Sequence, residues 1–148
     1  NLTHPENSLQ EGVPLYNQNN PQNYRTLYKA IQNKIISACH DLSEGGLALA
    51  LAESCLAGRL GARIDLQATN DPLRILFGET SGCLLVEVSP NNQAAFETAL
   101  ADCPFQKIGK VVKDQTLSVF AGSTLLLEST MSDLLSAWKD RRFAGGRS

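Results

Sequence analysis

Hydrophobic residues are sparse at the start of the chain and fall into regular patterns only after about residue 20. The leading stretch is polar and turn-rich, closing on Asn17-Gln18-Asn19-Asn20-Pro21-Gln22-Asn23, and residues 1–20 read as a linker or arm with little structure of their own. A helix is predicted over 21–34, with Pro21 tolerated in its first turn and Tyr24, Leu27, Tyr28 and Ile31 on one face. Ile35-Ile36-Ser37-Ala38-Cys39 is a short apolar run that suits a buried strand. The stretch Leu47 to Ala57 is apolar on nearly every face and reads as a buried helix, with Gly58 placed to stop it.

Further along, Gly61-Ala62-Arg63-Ile64-Asp65-Leu66 alternates as a strand does, and Asp71-Pro72 has the form of a cap and first helical position, opening a short helix to Phe77. Gly82 to Val88 reads as a strand, and 91–101 as a helix with Ala95, Phe96, Ala99 and Leu100 inward. Two strands, Phe105 to Val112 and Leu117 to Phe120, flank a turn at Lys113-Asp114-Gln115. A short strand at Leu125-Leu126-Leu127 precedes a helix over 131–140, which carries Leu134, Leu135 and Trp138 on one face. Residues 141–148 are a tail, leaving one domain over 21–140. The irregular mixture of helices and strands predicts an α+β fold, with a mixed or antiparallel sheet flanked by helices.

At 148 residues the chain has the size of one domain with one core. A formal net charge of −2 without any basic block argues against nucleic acid or an anionic membrane as partner. No run reaches the roughly 18 apolar residues that cross a bilayer. The start, Asn1-Leu2-Thr3-His4-Pro5-Glu6-Asn7, has neither the basic nor the apolar section of a signal peptide, and without an initiator Met it suits a fragment of a longer chain. Cys39, Cys55, Cys83 and Cys103 form no C-x-x-C pair, which disfavours a zinc or redox motif. The first three lie in apolar runs and are expected to be small buried hydrophobes, with free thiols suited to a reducing cytoplasm.

Between the predicted strand at 35–39 and the apolar helix lies His40-Asp41-Leu42-Ser43-Glu44-Gly45-Gly46. The first amides of a helix lack intrahelical partners and carry partial positive charge, so this junction can hold an anion. Gly45 and Gly46 would let a phosphate approach the backbone, and Ser43 offers a cap or a hydroxyl donor. Asp41 suits three roles: orienting a ligand hydroxyl, coordinating a metal, or capping the turn. The same pattern is also that of an ordinary connection from strand to helix, and a lone histidine such as His40 is more often a hydrogen-bonded structural residue than a general base.

His40-Asp41-Leu42-Ser43-Glu44-Gly45-Gly46-Leu47-Ala48 resembles the signature loop of the carboxy-terminal domain in the aminoimidazole ribonucleotide synthetase superfamily. Its wording is most similar to the formylglycinamidine ribonucleotide synthase branch of that superfamily. Gly61 to Leu66, Leu76-Phe77-Gly78-Glu79-Thr80 with Leu85 to Val88, and Ile108-Gly109-Lys110-Val111 resemble further family segments in the same order, so the resemblance covers residues 20–140. The Ser-Glu-Gly-Gly and Gly-Glu-Thr wordings are closer to the small multi-subunit form than to the large form with a fused glutaminase. At Ser81-Gly82-Cys83 the chain departs from the family's frequent Arg or polar residue, so a ligand contact made there in relatives is not carried over.

The resemblance implies an ATP-dependent C–N ligase of de novo purine biosynthesis, in the cytoplasm. Formylglycinamide ribonucleotide, ATP and glutamine-derived ammonia are its substrates, and Mg²⁺ its metal. The ATP and metal ligands are expected mostly on preceding domains, so this domain alone should be inactive, with no catalytic residue or metal ligand of its own. His40, Asp41, Ser43, Gly45 and Gly46 are the candidate phosphate-binding residues, forming one wall of a nucleotide or ribonucleotide pocket. No cysteine sits in a Gly-x-Cys-x-Gly elbow, so ammonia should come from a partner glutaminase, with a small accessory subunit also present. An acidic side chain at Gly46 is expected to abolish ligand binding while leaving the domain folded. Two alternatives stand beside this: a domain of another superfamily member, such as selenophosphate synthetase, and a non-catalytic nucleotide-binding or assembly module.

Overall fold

A computed structural model describes residues 20–66, 71–79 and 82–140. The arm (apart from Asn20), the tail, and Thr80 and Ser81 of the family-like segments lie outside the described residues. Helix α1 spans Asn20–Gln32 and stops where Lys34 enters the left-handed region at φ 56°. Lys34 N–H donates to Ile31 O and Ile35 N–H to Ala30 O, the paired bonds of a Schellman stop. This turn consumes residues that the apolar run had suggested for a strand, so β1 begins later, at Ala38–Asp41. Ile36 is buried, but in the cluster beneath α1.

The elements that follow are α2 (Gly46–Gly58), β2 (Gly61–Asp65), α3 (Pro72–Phe77) and β3 (Leu84–Glu87). A 3₁₀ turn, Pro90–Asn92, then leads into α4 (Gln93–Ala99), followed by β4 (Gly109–Val112), β5 (Thr116–Ala121), β6 (Thr124–Thr130) and α5 (Met131–Asp140). α3 opens as its sequence indicated, with Asp71 Oδ1 accepting from Arg74 N–H at 3.1 Å and Pro72 in the first turn. The stop of α2 is Arg59, left-handed at φ 51°, rather than Gly58, which remains helical.

Four strands form one sheet in the order β4-β2-β5-β6, with β2 and β5 parallel and the outer pairs antiparallel. β1 and β3 form a separate antiparallel ribbon, His40 opposite Leu85 and Asp41 opposite Leu84. The architecture is thus α+β with a mixed sheet, as the pattern predicted.

α2 lies across the four-stranded sheet because it is apolar on the face that meets it. Leu47, Ala48, Leu51 and Cys55 pack with Ala62, Ile64, Leu117 and Val119 in the main core. Burial also pushes the Cys55 thiol up from its ordinary pKa. A second cluster joins α1 to α4 through Ala30, Ile36, Phe96 and Leu100.

Several side chains differ from the periodic reading. Of the apolar stripe on α1, Leu27 packs inward while Tyr24, Tyr28 and Ile31 are exposed; Ala30 joins Leu27 in the core, where its small side chain lets Phe96 of α4 and the adjoining Leu100 come close. In α4, Ala95 and Ala99 are exposed beside the buried Phe96 and Leu100. Cys39 and Cys83 are exposed and only Cys55 is buried. Cys39 lies in β1 and Cys83 just before β3, and no residue of this two-stranded ribbon is fully buried. The strand expected from Phe105 shrinks to Gly109–Val112.

Candidate functional site

The 40–46 segment leaves the end of β1 and turns directly into α2. Leu42 N–H donates to Cys83 O at 3.1 Å, so the ribbon holds the start of the loop. At its other end Gly46 N–H donates to Ser43 O at 3.0 Å, and Leu49 N–H to Gly45 O at 3.3 Å. Gly45 and Gly46 are both left-handed, at φ 77° and 59°, which is why two glycines stand at this turn. No side chain caps the helix. Among the described residues, the amides of Ser43, Glu44 and Gly45 have no hydrogen-bond partner. Ser43, Glu44 and Asp41 are exposed.

Gly46 stands apart from these. It is buried, and a Cβ placed on it would lie 2.8 Å from Leu76 O and 2.9 Å from both Gly78 O and Phe77 C. The end of α3 therefore seals that side of the helix start. Gly46 is a packing position between two backbones, and an acidic side chain there would disturb the fold as well as any ligand. The open part of the junction is Ser43-Glu44-Gly45, with Asp41 at its edge.

His40 is engaged inside the protein. Its Nε2 lies 2.7 Å from Glu53 Oε2 of α2, and its Nδ1 2.7 Å from the backbone O of Asp41. Both partners are acceptors, so the geometry favours a proton on each ring nitrogen, the imidazolium form. The His40 pKa is accordingly raised, first by the bond to the Asp41 carbonyl and then by the Glu53 carboxylate, against an opposing effect of burial. Held between these two acceptors, the ring ties β1 to α2. The Asp41 carboxylate, 3.6 Å from Nδ1, adds to the same field.

Glu53 was not singled out from the sequence. The available signal was its position as the one charged residue in the apolar helix Gly46–Gly58. The periodic pattern did not say what it meets.

The His40–Glu53 pair predicts a pH dependence of stability. The folded pKa exceeds the unfolded value of about 6.5, so the contribution is complete below that pH and fades as pH rises through the folded value. The side chains are 31% and 29% exposed, so the pair is worth about 0.5–1 kcal/mol. Urea midpoints of the wild type and His40→Gln should differ more at about pH 5.5 than at about pH 8.5; a gap that widens with pH would contradict this.

A cavity of about 170 Å³ lies between α2 and α5, lined mainly by Leu49, Leu56, Leu134 and Trp138, with Glu53 at its wall. It is apolar and contains none of the loop residues. Among the described residues no group of three His, Cys, Asp or Glu side chains is placed to hold a metal ion, so no Mg²⁺ ligand set is assigned to them. No helix among them is long and apolar enough to cross a membrane.

An α+β domain with a Gly-Gly junction at the start of its buried helix defines a class, and comparison with known proteins supplies the family. Residues 4–122 match the model of the AIR synthase related protein, C-terminal domain, and the chain belongs to that family. Its relatives include the phosphoribosylformylglycinamidine synthase subunit PurL of Lactobacillus helveticus, 38% identical over 116 residues, covering 78% of this chain and 15% of that protein. The PurL subunit of Lacticaseibacillus casei is 46% identical over 90 residues, covering 61% and 12%. The chain thus spans about a seventh of the length of such relatives.

Among solved structures, PurL of Thermotoga maritima complexed with ATP superposes with a TM-score of 0.67 at 20% identity, over 76% of this chain and 21% of that one. The same protein complexed with FGAR gives 0.68 at 19%, over 78% and 20%. At these identities the likeness establishes the fold.

Proposed function

We propose that this chain is the carboxy-terminal domain of a formylglycinamidine ribonucleotide synthase of the small, multi-subunit type. In that enzyme ATP activates an amide oxygen of formylglycinamide ribonucleotide by phosphoryl transfer, and ammonia displaces it. Such chemistry depends on fixed donors around phosphoryl oxygens. The domain supplies some of these donors and no general base, so it works only with the rest of the polypeptide. A glutaminase subunit supplies ammonia and a small accessory subunit joins the assembly in the cytoplasm; support for an assembly comes from a PurLQS structure of Thermotoga maritima with the same fold in part of its chain.

The observation that carries this reading is the open Ser43-Glu44-Gly45 turn. Its unpartnered amides stand before a 13-residue apolar helix whose field favours an anion. Asp41 and the Ser43 hydroxyl flank it, while Gly46 and His40 shape it from behind. The occupant is a phosphate group of ATP or of the ribonucleotide. ATP-bound and FGAR-bound neighbours of the same fold favour both as candidates.

Ser43→Asp tests this in the full-length enzyme. Ser43 is exposed and makes no side-chain hydrogen bond among the described residues, so folding should be unaffected. A carboxylate placed at the turn should weaken binding of ATP or of formylglycinamide ribonucleotide by about tenfold or more, or about 1.4 kcal/mol. Unchanged calorimetric affinity for both would overturn the assignment.

A further inference from the structure

Resting on the phosphate-wall reading above, we infer that Glu53 is a positioning residue, bracing the open turn through His40. Its carboxylate sits seven residues into α2, about 10 Å along the helix from Gly46 at 1.5 Å per residue. From there it accepts the Nε2 proton of His40 at 2.7 Å. The opposite ring nitrogen donates to the Asp41 carbonyl, also at 2.7 Å. One histidine ring therefore connects the body of α2 to the last peptide of β1, and the turn 42–45 bridges those same two elements by the other route. The result is a closed ring of strand end, turn, helix and side-chain strut.

The strut matters because the strand end is otherwise weakly held. β1 belongs to a two-stranded ribbon, and such pairs are marginal alone. Across from His40 the ribbon presents Leu85, which offers packing and no hydrogen bond to the ring. The charged groups against His40 among the described residues are Asp41 on its own strand and Glu53 on α2. A carboxylate in an apolar helix costs desolvation, which the contact with His40 offsets. Leu at position 53 would fill the same place on the helix but leave His40 Nε2 without an acceptor, and the strand end without its tie to α2.

The test uses the full-length enzyme with three changes. Glu53→Ala removes the strut and should raise KM for ATP or formylglycinamide ribonucleotide about tenfold, with kcat within about threefold. Glu53→Gln keeps an acceptor for Nε2–H and should restore KM to within about threefold of wild type. The double change His40→Leu with Glu53→Leu strands no charge and should behave as Glu53→Ala, which covers the case in which the single variant fails to fold. Hydrogen exchange of residues 41–45 should rise in the strut-free variants and nowhere else. If exchange rises there while KM stays at the wild-type value and Ser43→Asp is impaired, Glu53 serves the fold alone and the inference is wrong. If Ser43→Asp itself binds normally, the phosphate-wall reading fails first.

Discussion

Gly46→Ala is expected to cost the domain about 2–5 kcal/mol, against a total stability of about 5–15 kcal/mol. Two effects add. The residue sits at φ 59°, where a Cβ costs about 1–2 kcal/mol. The new methyl would also lie 2.8–2.9 Å from Leu76 O, Gly78 O and Phe77 C, and relieving that overpacking costs about 1–3 kcal/mol. These are backbone atoms of α3 and its end, so no side chain can swing away. Gly122 provides the control. It has the same φ of 59° in the β5–β6 turn but open space around it, so Gly122→Ala should cost only the backbone share, about 1–2 kcal/mol. Urea denaturation of the two variants measures the difference, and equal losses would show that α3 does not pack against Gly46.

Leu117→Ala carries the second large effect, about 3 kcal/mol. Leu117 is 2% exposed on β5, a strand flanked by β2 and β6 and covered by α2. Removing its side chain leaves a cavity that neighbours on three elements cannot all close. Leu125, 49% exposed on the edge strand β6, should tolerate the same change within about 0.5 kcal/mol. Thermal or urea midpoints distinguish the two, and comparable losses would mean that the β5 core is not where the structure places it.

The contrast between the legible and illegible parts of this chain follows the range of the interactions. α2, α3 and α5 could be read because their signals are local: an all-apolar run, an Asp-Pro cap, a stripe ending at Trp138. The Gly-Gly junction was local too, and two left-handed residues stand there. What Gly46 packs against was not legible, since Leu76 to Gly78 lie thirty or more residues away along the chain. The same holds for His40 and Glu53, whose pairing exists only because β1 runs beside α2.

The apolar run at Ile35 to Cys39 misled for a related reason. Hydrophobicity there serves two different neighbours: Ile36 packs under α1, while Ala38 and Cys39 enter an exposed ribbon. For α1, periodicity named an apolar stripe, of which packing keeps Leu27 and adds the small Ala30, leaving Tyr24, Tyr28 and Ile31 exposed.

Hydrogen exchange of the Ser43, Glu44 and Gly45 amides in the full-length enzyme tests the central claim most directly, because these groups lack a partner among the described residues. Addition of ATP or of formylglycinamide ribonucleotide should slow their exchange while leaving the β5 core amides as they were. Exchange that stays equally fast with either ligand at saturation would contradict a phosphate bound at this turn.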